Sequence, residues 1–376
     1  MHHITFLNFK PHLYENSIEE IIHGKTRVFN NHTFGVSHIL KGYKLNGYIL
    51  EKNGGQYTHE VISGRPCNNQ TNVQALIVIP KMKTVQCSKV FYFGYVRDNN
   101  YQMFFTTLFP KLCILHKLLQ TRWKNDKNIT IIISGKACPP NKKSSYIEEN
   151  IRIFISSYFG QTFKILQNEF IFECSELFLP GWLSNNYSIC YPDLYTHHIF
   201  QQLRENALTF KSNINFQPKY IYISRKDPNK DSTRHLIDPE NKLTNYLKEK
   251  GFYVGTGSSL STYDKAHLFK KCELLLVEVG ASVTNIVFLN PILKPKVICI
   301  CNKNKIFIEK VKESFIFPKK YSRELWFSYW IEQVFPGINF SLYKEVEDIT
   351  PNQNISNYRL KNTDSFIQKI KKYFIT

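Results

Sequence analysis

The sequence predicts an α/β protein of two lobes with a cleft between them, the second lobe Rossmann-like. Three observations carry this expectation. The chain has 376 residues, too many for one ordinary core and suited to two domains of about 100–200 residues each. From Lys219 to Cys301, apolar strand-like runs alternate with amphipathic helical runs, the rhythm of consecutive βα units. The strand-like runs in that stretch are continuously apolar, as strands buried on both faces of a parallel sheet are.

In chain order, the first half reads as an α/β lobe with strands at 89–95 and 129–134 and helices at 102–123 and 144–158. Residues 168–192 hold Phe170-Ile-Phe-Glu and Leu177-Phe-Leu-Pro-Gly-Trp182, read as short strands separated by turns, and 193–210 reads as a helix. The domain expectation is an N-terminal α/β lobe over 1–210, a Rossmann-like lobe over 211–320, and C-terminal helices over 321–376 that pack back on the first lobe.

The second lobe opens with the strand Tyr220-Ile-Tyr-Ile-Ser224 and a charged loop, then a helix from Pro239 to Gly251. Pro at a helix start and Gly just past its end are the favoured placements. Phe252-Tyr-Val254 is a short strand, and Ser261 is placed to cap a helix reaching Lys271. Leu274-Leu-Leu-Val277 is a buried strand, followed by the small-residue turn of Glu278 to Asn285, a short apolar helix and the strand Lys296-Val-Ile-Cys-Ile-Cys301. Tail helices are expected at 323–334 and 364–374.

Composition narrows the function. A hydrophobic fraction of 43% excludes a disordered chain. No basic-then-apolar leader opens the sequence, and no run approaches the ~18–20 apolar residues of a membrane span. A cytoplasmic location is therefore expected. Nine scattered cysteines form no C-x-x-C pair and read as reduced thiols, with no metal site expected. The formal charge of +19 implies an anionic partner. Because the lysines are spread along the chain rather than gathered in one arm, a solvated surface accounts for most of them.

Three loops follow predicted strands of the second lobe, where open α/β sheets bind ligands. Ser224, Arg225 and, further on, Arg234 bring hydroxyl and guanidinium donors that suit a diphosphate; the alternative is a charged solvated loop. Gly280, Ala281, Ser282, Thr284 and Asn285 form a turn where phosphate can approach backbone N–H groups at a helix start; the alternative is close packing alone. Gly255-Thr-Gly-Ser-Ser259 reads as a plain connection; the alternative is a place for a base or ribose. There is no G-x-x-x-x-G-K-[ST] and no G-x-G-x-x-G after the first strand, which excludes P-loop and standard dehydrogenase sites. No D-x-D is present to hold a divalent cation on a diphosphate.

The order of these motifs resembles glycosyltransferase family 61. That family's ISR after a strand, followed by a second arginine, is similar to Ile223-Ser-Arg225 and Arg234. Its S-x-x-E-Q-x-x-L-F-x-x-A helix is similar to the run from Ser261 to Cys272, and its G-x-H-G-A-G-L-T-N loop to the run from Val277 to Asn285. Its N-terminal N-Y-x-H-F-L-x-[DE]-x-L-P-R-L helix is similar to the run from Asn100 to Leu112.

The resemblance implies a GT-B arrangement, two Rossmann-like lobes facing a central cleft, and inverting sugar transfer from a nucleotide-sugar without metal or cofactor. It implies an acceptor of capsule or lipopolysaccharide type, a glycan or lipid-linked glycan, met at the inner face of the membrane, where a basic surface docks to anionic lipid. Asn100, Met103 and Thr107 fall on its acceptor side. Met103 stands where the family usually has His, Thr107 where it often has an acidic residue, and Val279 where the loop has His. An inverting transfer needs a general base, and neither Met nor Thr has a usable pKa. Asp98 and Glu278 are the substitute candidates. Two other readings stand beside this one: a degenerate, non-catalytic member that binds nucleotide-sugar or glycan in an assembly complex, and a nucleic-acid-binding protein using its charge and its 29 Phe and 22 Tyr. No nucleic-acid reader motif is present, so nucleic acid is not the expected partner.

Overall fold

The computed structural model describes residues 38–46, 49–52, 55–57, 84–95, 101–109, 112–134, 146–158, 161–167, 171–179, 184–185, 189–190, 194–226, 235–257, 260–301, 331, 334–349 and 357–374. The chain divides into two compact units, Met1–Ile199 and Phe200–Thr376. No described helix is long and apolar enough to cross a membrane.

The first unit is built on a seven-stranded mixed sheet. Its strands are β1 (His38–Asn46), β2 (Ile49–Lys52), β3 (Gly55–Tyr57), β4 (Thr84–Tyr95), β5 (Asn128–Ser134), β6 (Thr162–Gln167) and β7 (Ile171–Leu179). They lie in the order β3-β2-β1-β7-β4-β5-β6, with β7, β4, β5 and β6 parallel and β1, β2 and β3 added antiparallel at one edge. Two-residue strands β8 (Ser184–Asn185) and β9 (Ile189–Cys190) pair with each other. Ile129, Ile131 and Ile132 of β5 are buried, and the helices Leu112–Gln120 and Tyr146–Ile155 bury Leu112, Leu115, Ile147, Ile151 and Phe154.

Two expectations are corrected in this unit. The helix expected over 102–123 is a helical turn Tyr101–Met103, a π turn Phe104–Leu108 and a helix Leu112–Gln120. Pro110, with no N–H to give, cannot sit inside a continuous ladder, and Phe104, Phe105 and Phe109 are all fully buried. The short strands expected within 168–192 include one nine-residue strand, β7, which pairs with β1 on one side and β4 on the other. Pairing on both edges outweighs the weak strand tendency of its Glu173, Ser175 and Glu176.

The second unit carries an all-parallel sheet of β10 (Tyr220–Ser224), β11 (Tyr253–Thr256), β12 (Leu274–Glu278), β13 (Lys296–Ile300) and β14 (Asn339–Tyr343), in the order β11-β10-β12-β13-β14. This is a doubly wound order, and its direction reverses between β10 and β12. All five residues of β12 are buried, as its unbroken apolar run predicts. The helix Lys242–Glu249 is started by Asp238, whose carboxylate accepts the N–H groups of Leu243 and Thr244 at 2.9 and 2.7 Å, and it ends at Gly251 with φ +77°.

Ser261 caps the helix Thr262–Phe269, as expected: its Oγ accepts the Asp264 N–H at 3.1 Å and donates to the Asp264 carboxylate at 2.7 Å. That carboxylate also accepts from the Ser212 hydroxyl at 2.6 Å and the Asn213 N–H at 2.9 Å. Burial pushes the Asp264 carboxyl up, but the donors from Ser212, Ser261 and Asn213 outweigh it and hold the group below its ordinary value.

The tail corrects a third expectation. It builds onto the second unit: β14 extends the sheet, β15 (Val346–Asp348) pairs with β16 (Tyr358–Leu360), and the helix Thr363–Lys371 buries Phe366, Ile367 and Ile370 against the cluster of Leu243, Leu247 and Tyr343. Each such side chain contributes about 1.5–3 kcal/mol of hydrophobic burial, which gives the helix its place in this core. The helix expected at 323–334 lies outside the described residues apart from 331 and 334.

Candidate functional site

Ligands of a doubly wound sheet bind beyond the carboxyl ends of the strands, where the winding reverses. In the second unit the loops after β10 and β12 flank that point and carry Ser224, Arg225 and Gly280. Arg225 Nη1 donates to the Val279 carbonyl at 2.6 Å. The guanidinium thereby lies directly on Gly280, where an added Cβ would collide with Nη1 and come within 2.8 Å of Cζ. Gly280 also has φ +128° and ψ −154°, a conformation essentially reserved for glycine. The third loop joins them: a Cβ on Gly257 would come within 2.7 Å of Asn285 Nδ2.

Glu278, the last residue of β12, is fully buried beneath this meeting point. Its Oε1 accepts the Tyr222 and Ser224 hydroxyls, both at 2.8 Å, and its Oε2 accepts the Leu236 N–H at 2.7 Å. Burial raises its pKa, and the donors from Leu236, Tyr222 and Ser224 offset part of the rise. Burial, and then the neighbouring Glu278, push the Tyr222 phenol well up.

These contacts correct the reading of Glu278 as a general base. A base must reach the proton it takes, and this carboxylate has no exposed surface and both oxygens engaged. Thr284 and Asn285 are corrected as well: they are 0% and 2% exposed. Thr284 Oγ1 donates to the Ala281 carbonyl at 2.6 Å and Asn285 Nδ2 to the Ser282 carbonyl at 2.9 Å, so both brace the 3₁₀ turn Ala281–Phe288 from within. Burial of Val283, Ile286, Val287 and Phe288 draws that turn into the core. Ser224, Arg225, Gly280, Ala281 and Ser282 stay partly exposed, with the Ser282 hydroxyl donating to the Glu278 carbonyl at 2.8 Å.

Arg234 lies outside the described residues. The segment that follows it is pinned: besides the Leu236 bond to Glu278, the Ile237 N–H donates to the Tyr358 carbonyl at 2.8 Å, and the Tyr358 N–H to the His235 carbonyl at 3.2 Å. Sequence reasoning missed Tyr222, Leu236 and Asp238. The available signal was a glutamate closing an apolar strand, since a buried carboxylate requires donors.

In the first unit the winding reverses between β4 and β7. Asp98 and Asn100 lie outside the described residues. Met103 and Thr107 belong to the helical turn and the π turn that come next after β4, at the carboxyl end of that sheet. Such π turns are frequent at functional sites. Between them Thr106 is buried, its hydroxyl donating to the Gln102 carbonyl at 2.9 Å. Among the described residues no three His, Cys, Asp or Glu side chains are grouped as a metal site would need.

The family model Glycosyltransferase 61 matches residues 70–296, more than half of the chain. The match takes in the segment after β4 and all three loops of the second unit. No curated protein matches the chain. The motif order and the family match agree: the chain belongs to glycosyltransferase family 61 and is a glycosyltransferase.

Proposed function

We propose that this enzyme moves a sugar from a nucleotide-sugar to a surface-glycan acceptor of capsule or lipopolysaccharide type, free or lipid-linked, with inversion and without metal or cofactor. The observation that carries this reading is the Arg225 guanidinium held on Gly280 where the second sheet reverses. A guanidinium beside the first amides of a turn is a preformed site for the donor diphosphate.

In the proposed step the acceptor hydroxyl oxygen attacks the anomeric carbon, the bond to the diphosphate breaks, and the leaving diphosphate takes the electron pair. Arg225 and Arg234 offset the charge that develops there, which is electrostatic catalysis. Asp98 is the candidate left to take the hydroxyl proton, now that Glu278 is occupied. The two units act as the lobes of a GT-B arrangement, a reading supported by a sheet in each whose winding reverses beside the assigned segments.

The enzyme works in the cytoplasm at the inner face of the membrane. Supporting this is the turn Pro291–Leu293, which leaves Ile292 84% exposed and Leu293 43% exposed beside the exposed Lys294. Apolar tips flanked by lysine suit an anionic bilayer.

The test follows melting temperature across a panel of nucleotides and nucleotide-sugars, since a ligand of the folded state raises it. One nucleotide-sugar should stabilise the wild type, and Arg225→Ala should lose most of that shift while staying folded. No response to any nucleotide, together with tight salt-sensitive binding to DNA or RNA, overturns the reading.

A further inference from the structure

Glu278 is excluded as a base, yet it is the residue through which both proposed phosphate-binding loops are joined, one by its side chain and one by its main chain. The chain leaves β10 at Ser224, and Leu236 lies against β12 further on. These two residues are bonded to the two oxygens of one carboxylate, Ser224 to Oε1 and Leu236 to Oε2. Tyr222 supports Oε1 from within the same strand. The Ser224 oxygen in turn accepts the Lys226 N–H at 3.0 Å, which fixes the backbone on either side of Arg225. The main chain of Glu278 serves the other loop, its carbonyl accepting the Ser282 hydroxyl on the turn where the guanidinium rests.

We propose that Glu278 is a positioning residue: a buried carboxylate that ties Ser224 to Leu236 and presets Arg225 for the donor diphosphate. The inference rests on the nucleotide-sugar reading above. Its chemistry needs a carboxylate specifically. Two oxygens must accept from two chain segments, and in Glu278→Gln one of them becomes an amide nitrogen that cannot accept from Ser224 or from Leu236. Stability alone does not call for an ionisable group here, because apolar replacements of buried charges are often neutral or stabilising.

The test measures binding of UDP, GDP, CDP and ADP, and of the corresponding nucleosides, by calorimetry to wild type, Glu278→Gln, Arg225→Ala and the double variant. Each single substitution should weaken diphosphate binding about tenfold and leave nucleoside binding unchanged, while the double variant should be about as weak as one single rather than about a hundredfold weaker. If Glu278→Gln does not fold, Tyr222→Phe removes one donor without touching the loop and should weaken diphosphate binding about threefold.

Diphosphate affinity equal to wild type in a folded Glu278→Gln or Tyr222→Phe overturns the inference and leaves the donor site standing. Equal losses for nucleoside and diphosphate, or multiplying losses in the double variant, overturn it as well, because they show a general structural role. A wild type that binds none of the four diphosphates removes the donor reading, and the inference falls with it.

Discussion

Replacing Gly280 with alanine tests the geometry of the second unit most directly. The native φ of +128° and ψ of −154° fall where an L side chain is strained, at a cost of about 1–3 kcal/mol. The new Cβ also occupies the place of Arg225 Nη1, so the guanidinium must leave and give up its 2.6 Å bond to the Val279 carbonyl. Loss of a hydrogen bond from a charged donor adds about 1.5–3 kcal/mol. Together these come to about 2.5–6 kcal/mol, or a fall in melting temperature of about 5–24 °C for a domain of this size. Scanning fluorimetry and urea titration read that change. In an Arg225→Ala background no guanidinium remains to be displaced, so the same substitution should cost only the backbone part, about half as much. Equal costs in both backgrounds would refute the placement of the guanidinium on the glycine. A melting temperature within about 1 °C of wild type would refute the strain as well.

Other perturbations probe other links. The folded-state pKa of Asp264 is depressed from 3.8, so its stabilisation is present above that value and lost as pH falls through the folded one. Asp264→Asn should therefore flatten the acid limb of urea midpoints and cost about 1.5–3 kcal/mol near neutrality; an unchanged acid limb contradicts the donor set. Glu278 has the opposite sign. Its pKa is raised from 4.5, so wild-type stability relative to Glu278→Gln should fall as pH rises from there through the folded value, and a flat difference would argue against its burial. Phe366→Ala, which removes a ring 4.6 Å from Tyr343, should cost about 3–5 kcal/mol if the last helix belongs to the second core; a loss under about 1 kcal/mol would detach it. The doubly substituted Ile292→Ser, Lys294→Glu protein should sediment with phosphatidylserine vesicles at least about tenfold less than wild type, whereas equal sedimentation removes that turn from membrane docking.

What could be read in advance follows local physics. Strand β10, the Ser261 cap and the glycine after the helix Lys242–Glu249 were legible because apolar runs, cap residues and terminators act within a few residues. Strands β14, β15 and β16 were not, since segments such as Val346–Asp348 have little apolar pattern and exist through pairing with partners distant in sequence. The site divides in the same way. Arg225 and Gly280 were legible as residue types suited to phosphate, and the structure sets one upon the other. The inward turn of Thr284 and Asn285 and the burial of Glu278 were hidden, because which face of a short turn meets the core depends on the packing of β12 and the apolar residues after it.

Because Ser224 and Leu236 are held on the two oxygens of Glu278, the distance between them is set by one buried side chain. A longer connection between these two residues, with Arg234 retained, should therefore cost little. Each doubling of length adds only about 0.6 kcal/mol of closure cost. A chimera with a loop of about twice the length between Lys226 and His235 should keep its melting temperature within a few degrees of wild type. Length can then vary at this one insertion point while the fold beneath it stays constant, which makes it a practical graft site.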